Sequence, residues 1–237
     1  MRRAGMAFAV IALITTTSAG AYEAITVTDG GSIAGRVTYR GEPPVPATIK
    51  VTKDVDVCGT EKAAAGLIVG PDKGIKNVVA RLLEVRRGKP FSKKRSTTVD
   101  QKNCEYSPRI VLFPAGTRVA IENNDGILHN TNVVAEKNPS FTVAQPKFRR
   151  VVERRIDDPE MPIRVRCDVH SWMASWWIAQ EHPYYAVTKT DGTFALSDVP
   201  PGHYTLELWH ETLGRTTQSV TVNPNAETRV SLELTKR

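Results

Sequence analysis

Cys167, His170 and Met173 stand at C-x2-H-x2-M in the run CDVHSWM. A thiolate and an imidazole three residues apart can converge on one ion from a tight loop between two strands. A thioether three residues further on can reach the same ion from an axial direction. Zinc rarely recruits methionine, so thiolate, imidazole and thioether together point to copper. A trigonal His2Cys site with a weak axial Met needs a second histidine, from an adjacent strand. His129, in VAIENNDGILHNTNVV, lies 38 residues before Cys167 and meets that need. Two other chemistries use the same residues: a buried Cys with a satisfied His and a core Met, and a Cys–His nucleophile. For the nucleophile, no orienting Asn or Asp and no oxyanion nest is evident.

The elements that would position such a loop are strands. Short β-rich runs recur at Ser32 to Tyr39, Ile49 to Thr52, Arg109 to Phe113, Thr117 to Glu122 and Thr131 to Ala135. They resume after Cys167 at Phe194 to Leu196, His203 to Trp209, Thr216 to Val222 and Thr228 to Leu234. Asp29-Gly30, Asp191-Gly192 and Pro200-Pro201-Gly202 supply turns between them. No stretch keeps a helical period over three turns; Glu61 to Ala65 could form one helical turn. This pattern predicts an all-β protein of sandwich or barrel architecture.

Composition narrows the setting. The 237 residues are 41% hydrophobic, which excludes disorder and a collagen-like repeat. Three cysteines are too few for a disulfide-dense scaffold, and no CxxC pair offers a zinc ribbon. Residues 1–21 read as a signal peptide: Arg2 and Arg3, an apolar run, then Ala19-Gly20-Ala21 at the cleavage site. The run is too short to span a membrane, and no cysteine follows for lipid attachment. A periplasmic or secreted protein with no membrane span after cleavage is expected, and disulfides are permitted there. Cleavage lowers the formal charge from +7 to +5.

The positive charge gathers in two runs. Arg81 to Arg95 holds seven basic residues against Glu84, and Lys147 to Arg155 holds five against Glu153. Each run reads either as a solvated strand face or as a docking surface for an acidic partner. Export argues against nucleic acid.

Two stretches resemble known families. VTKTDGTFALSDVPPGHYTLELWHETLG at 187–214 resembles the carboxypeptidase regulatory-like module, a small transthyretin- or immunoglobulin-like β-sandwich. Its usual opening strand resembles IAGRVTYRGEPPVPATIKV at 33–51, far upstream. The resemblance implies a sandwich of residues 184–237 completed by strands from 27–52, with a second unit, 53–183, inserted. Two consecutive domains are the other arrangement. Carbohydrate-binding folds share this sandwich class, so sugar is a candidate ligand by analogy.

FPAGTRVAIENNDGILHN at 113–130 resembles the cupredoxin pattern, and C-x2-H-x2-M resembles the short ligand loop of amicyanin. The full chain is similar to bacterial methylamine-utilisation or plastocyanin-like proteins. The match spans roughly residues 100–180 and implies a Greek-key sandwich holding one type 1 copper. His129 and His170 would be the imidazole ligands, Cys167 the thiolate and Met173 the axial thioether. Asn130 would pin the two ligand-bearing strands near the thiolate. Leu128 stands where several relatives carry proline, which touches no ligand.

Three cysteines allow three single disulfides, and only Cys58–Cys104 leaves Cys167 for a metal. The resemblance also places an apolar docking patch around the second histidine, with Trp172 a candidate member. A surface-exposed His170 could then protonate and leave the metal at low pH. Trp176 and Trp177 are expected to pack the two domains together, although sugar stacking is another use for tryptophan. His182 is expected at a strand end or the surface, with a role near the metal as the alternative. His210 reads as structural. The implied activity is one-electron transfer to a redox partner protein, for which the basic runs suggest an acidic one, with no substrate bond made or broken and hence no enzyme. Copper carriage and a carbohydrate-binding envelope role are the competing classes.

Overall fold

The structure is a computed structural model describing residues 22–92 and 96–236. The leader read over residues 1–21, and Lys93, Lys94 and Arg95 of the first basic run, lie outside the described residues.

Strands dominate. The chain begins with β1 (Glu23–Ala24), β2 (Gly31–Tyr39) and β3 (Thr48–Lys50), followed by a one-turn helix, α1 (Val55–Cys58). Next come β4 (Glu61–Ala63), β5 (Val79–Leu82), β6 (Arg87–Gly88), β7 (Ser96–Lys102), β8 (Glu105–Ser107), β9 (Ile110–Pro114) and β10 (Thr117–Asn123). Then follow β11 (His129–Val134), β12 (Phe141–Gln145), β13 (Val151–Ile156), β14 (Glu160–Arg166) and β15 (Ala174–Gln180). The last five are β16 (Tyr185–Val187), β17 (Thr193–Val199), β18 (Gly202–His210), β19 (Gly214–Val222) and β20 (Glu227–Leu234). Glu61, where a helical turn was expected, opens β4 instead; the helical turn lies earlier, at α1, and ends at Gly59.

Four main sheets pair into two sandwiches, so the chain is an all-β sandwich protein. One sandwich packs the sheet β13-β10-β7-β8 on the sheet β12-β11-β14-β15-β9. Val99, Val119 and Ile121 from the first sheet meet Phe113, Val133, Val165 and Trp177 from the second in one core. The alternation in TRVAIEN, buried at every second residue, shows why β10 serves that core with one face.

The other sandwich packs β16-β5-β18-β19 on β17-β2-β20, around Ile33, Val37, Leu82, Phe194 and Leu206. Here β2 pairs with β17 antiparallel and with β20 parallel, so the N-terminal strand sits between two C-terminal ones. One boundary needs correction. Val79–Leu82 falls inside the 53–183 span read as the inserted unit, yet β5 pairs with β16 and β18 in the second sandwich. The reason is burial: Ala80 and Leu82 fill the core beside their cross-strand partners Leu208 and Leu206, while Val79 faces the neighbouring sandwich.

A third apolar cluster, including Val79, Ile110, Ile178 and Trp209, joins the two sandwiches. Trp176 meets Trp209 edge to face at 5.3 Å between ring centroids. Arg109 grips Glu211 across this seam with both guanidinium arms, at 2.5 and 2.7 Å. That fork is largely removed from water and is charge-assisted. Coverage from both sides explains β18, which alternates at first and is then buried continuously from Leu206 to His210. Trp176 therefore sits where the two units meet, whereas Trp177 lies inside the first core beside Phe113.

Among the described residues no helix is long and apolar enough to cross a membrane.

Candidate metal centre

The three candidate donors on β11 and the 167–173 loop arrive from two directions. His129 is the first residue of β11 and is fully buried. β11 runs antiparallel to β14, with Asn132 opposite Arg166, which delivers Cys167 beside the start of β11. Residues 167–173 form the turn between β14 and β15. Cys167 N–H donates to the Met173 carbonyl at 3.3 Å, and Met173 N–H donates to the His170 carbonyl at 3.0 Å. This tight closure turns His170 inward over Cys167.

The result is a compact donor set. His129 Nδ1 lies 3.0 Å from His170 Nδ1, and Cys167 Sγ lies 3.9 Å from His170 Nδ1. The three ligand atoms all fall within 4.8 Å of one another. Met173 is buried in the same apolar cluster as Cys167.

The outer nitrogens fix the tautomers. His129 Nε2 lies 2.9 Å from Asp125 Oδ2, and His170 Nε2 lies 2.8 Å from Asp54 Oδ2. A carboxylate only accepts, so each Nε2 carries the proton and donates. Each ring then turns its Nδ1 inward, toward the other. A cation between the two Nδ1 atoms would be ligated by both rings. Burial, reinforced by His170, lowers the His129 pKa despite the opposing carboxylate of Asp125, which keeps the ring neutral and able to ligate. The donor chemistry and the inward-facing ligand atoms therefore fit a soft or borderline metal.

Asn130 bridges the two ligand-bearing segments. Its Oδ1 accepts from Asp168 N–H at 2.7 Å and lies 3.3 Å from Cys167 Sγ, while its Nδ2 donates to Asp168 Oδ2 at 2.8 Å. Hydrogen bonds from Asn132 and Asn130 hold the Asp168 carboxyl below its ordinary range.

The surface around His170 differs from expectation. His170 is not at the surface; it is fully buried, and Trp172 is only partly exposed. The covering element is the hairpin formed by β3, α1 and β4, with Thr48 opposite Ala63. Asp54, in the left-handed conformation at the head of α1, reaches down to His170. Cys58 at the end of α1 is bonded to Cys104, which straps this lid to the first sandwich. Trp172 lies beneath it, its ring 5.1 Å from that of His170 and its Nε1–H donating to the Cys104 carbonyl at 3.0 Å. An apolar docking patch around an exposed imidazole, and a pH switch that releases it, do not fit this cover.

Sequence reasoning missed Asp54 and Asp125. Asp125 accepts the N–H groups of Asn103 and Cys104, at 2.6 and 2.8 Å, besides His129. Cys104 thus bonds the lid through its sulfur and supports the His129 partner through its amide. The signal was present only indirectly: Asp54 lies four residues before Cys58, and Asp125 closes the Asn-x-Asp run that precedes His129. A second donor group, Cys104 with Asp125 and His129, has its sulfur committed to that disulfide. His182 lies just past the end of β15, one of the two places expected for it, but is not at the surface. It is fully buried, with Nδ1 accepting from Tyr184 N–H at 3.2 Å, between the rings of Tyr22 and Tyr185 and away from the donor set.

Comparison with known proteins gives partial likenesses. No curated protein matches the chain. A copper-containing nitrite reductase from Thermus scotoductus SA-01 is similar over 39% of this chain and 24% of its own, at 17% identity and TM-score 0.33. This chain thus spans about a quarter of that protein. A purple cupredoxin from Nitrosopumilus maritimus is similar over 35% of this chain and 99% of its own, at 17% identity and TM-score 0.31. BcpA, the major pilin subunit of Bacillus cereus, aligns over 87% of this chain and 99% of its own, at 9% identity and TM-score 0.18. Residues 178–235, which supply β16 to β20, match the family model of the carboxypeptidase regulatory-like domain.

Proposed function

We propose that this chain is an exported type 1 copper protein that carries single electrons, with His129, Cys167, His170 and Met173 holding the metal. One observation carries the reading: two buried imidazoles and one free thiol present Nδ1, Nδ1 and Sγ to a common point within a dry interior. Copper bound there would supply one-electron oxidation and reduction.

The chain's own residues do the rest. Asp125 and Asp54 fix the ring orientations, Asn130 fixes the approach of the thiolate, and the lid excludes water. A site so held needs little rearrangement when charge arrives or leaves. Burial of every proposed ligand leaves no opening beside the metal for a substrate, which supports electron carriage over catalysis. The same burial speaks against copper delivery, because His170 is locked beneath Asp54 by a disulfide-tied lid. No tryptophan is fully exposed, which weighs against the reading of tryptophan as a sugar-stacking platform.

The experiment for this reading is redox cycling of the copper-loaded chain. Reversible one-electron reduction with self-exchange faster than copper transfer to a chelator is expected. Copper that passes to the chelator faster than it exchanges electrons would assign a carrier of metal instead. Asp54→Ala is expected to weaken copper binding about tenfold, as loss of an outer-sphere carboxylate does. Competition against a chelator of known affinity measures this, and unchanged affinity would remove Asp54 from the site.

A further inference from the structure

The turn between β12 and β13 has a use that the metal centre does not absorb. β12 and β13 belong to opposite sheets of the first sandwich, and residues 146–150 cross between them at the end where His129 opens β11 opposite Gln145. Phe148 stands at the tip with 83% of its surface exposed. Leu128 and Val151, from the neighbouring turn and the next strand, are 45% and 53% exposed.

This exposure is built. Arg149 N–H donates to the Pro146 carbonyl at 2.8 Å, closing the turn. Asn123 donates its amide N–H to the Arg150 carbonyl and its Nδ2 to the carbonyls of Ile127 and Gln145, each at 2.8 Å. Arg150 also reaches Asn124 Oδ1. The two turns are thereby fastened together, and Phe148 is held out from a supported backbone.

Charge selects the occupant. Lys147, Arg149 and Arg150 surround the aromatic tip, all exposed, and none has a carboxylate partner among the described residues. Three other exposed arginines of this sandwich do: Arg118 with Glu153, Arg155 with Asp157 and Arg166 with Asp168, whereas exposed Arg164 stands away from this tip on β14. A convex tip with one protruding ring and a collar of three unpaired cations suits a surface that is anionic outside and apolar just beneath. We propose that this end of the molecule binds the interface of a bilayer containing anionic phospholipid, with Phe148 entering the headgroup layer. The site uses none of the metal ligands.

Flotation of the purchased-lipid type settles this with the purified full chain: vesicles of phosphatidylcholine alone are compared with vesicles containing phosphatidylglycerol, at low and high salt. Binding only to the anionic vesicles, weakened by salt and about tenfold weaker in Phe148→Ser, is the expected result. Phe148→Trp should retain binding and show a blue-shifted emission on anionic vesicles. Absence of binding to phosphatidylglycerol, or binding that Phe148→Ser leaves intact, would overturn the proposal. Failure here leaves the copper spectrum untouched, so the two readings are tested separately. The melting temperature of Phe148→Ser, unchanged for an exposed residue, guards against misfolding as the cause.

Discussion

Replacing both Cys58 and Cys104 by serine is expected to cost about 4 kcal/mol of stability, since the bond closes a loop of 46 residues in the unfolded chain. Urea unfolding of the variant against the parent measures the loss, and a change below about 1 kcal/mol would contradict it. The structure adds a second consequence that the loop argument alone does not contain. Cys58 ends the helix that Asp54 begins, and Cys104 supplies one of the amides that hold Asp125. Cutting the bond therefore loosens the partners of both imidazoles at once. Copper should leave the double variant to a chelator at least as fast as it leaves Asp54→Ala. Slower release than in Asp54→Ala would show that the lid does not depend on its strap.

Acidification from pH 7 to pH 4 is expected to destabilise the fold by up to about 3 kcal/mol for each of two buried histidines. Burial pushes the pKa of His182 and of His210 down to about 4, whereas an unfolded histidine titrates near 6.5. Between those values the unfolded chain binds more protons than the folded one, so stability falls as pH falls through that window. It is fully present above about 6.5 and the loss levels off below the folded values. His129, also lowered, adds to the same slope. Glu160 acts lower on the scale: burial raises its pKa, but the N–H groups of Glu136, Lys137 and Asn138 outweigh burial and hold it below the ordinary range. Unfolding free energies at several pH values test this, together with His182→Asn, which keeps an acceptor for Tyr184 N–H. That variant should flatten the pH dependence between 4 and 6.5; an unchanged slope would mean that His182 is not the titrating group.

Much of the site was legible because its information is local. C-x2-H-x2-M lies within one turn, and His129 heads a strand whose preceding pattern is distinctive. The disulfide followed once Cys167 was reserved for the metal, and the free thiol at Cys167 agrees with it. Asp54 was not legible, because it meets His170 from 116 residues away through a lid with no periodic pattern of its own. That one contact reverses the expected exposure of His170. Strands with one wet face, such as β2 and β10, were readable from alternation. β5 and β15 were not, because the seam between the sandwiches buries both faces and erases the period. The same seam explains His210, which alternates with Trp209 yet is equally buried.

The central claim is that Cys167 and the two imidazoles hold one copper. Titration of the purified chain with Cu(II), followed by visible absorption, tests it most directly. One equivalent should produce an intense sulfur-to-copper band that saturates sharply and is absent in Cys167→Ser. A chain that binds no copper, or a band that survives Cys167→Ser, would contradict the account.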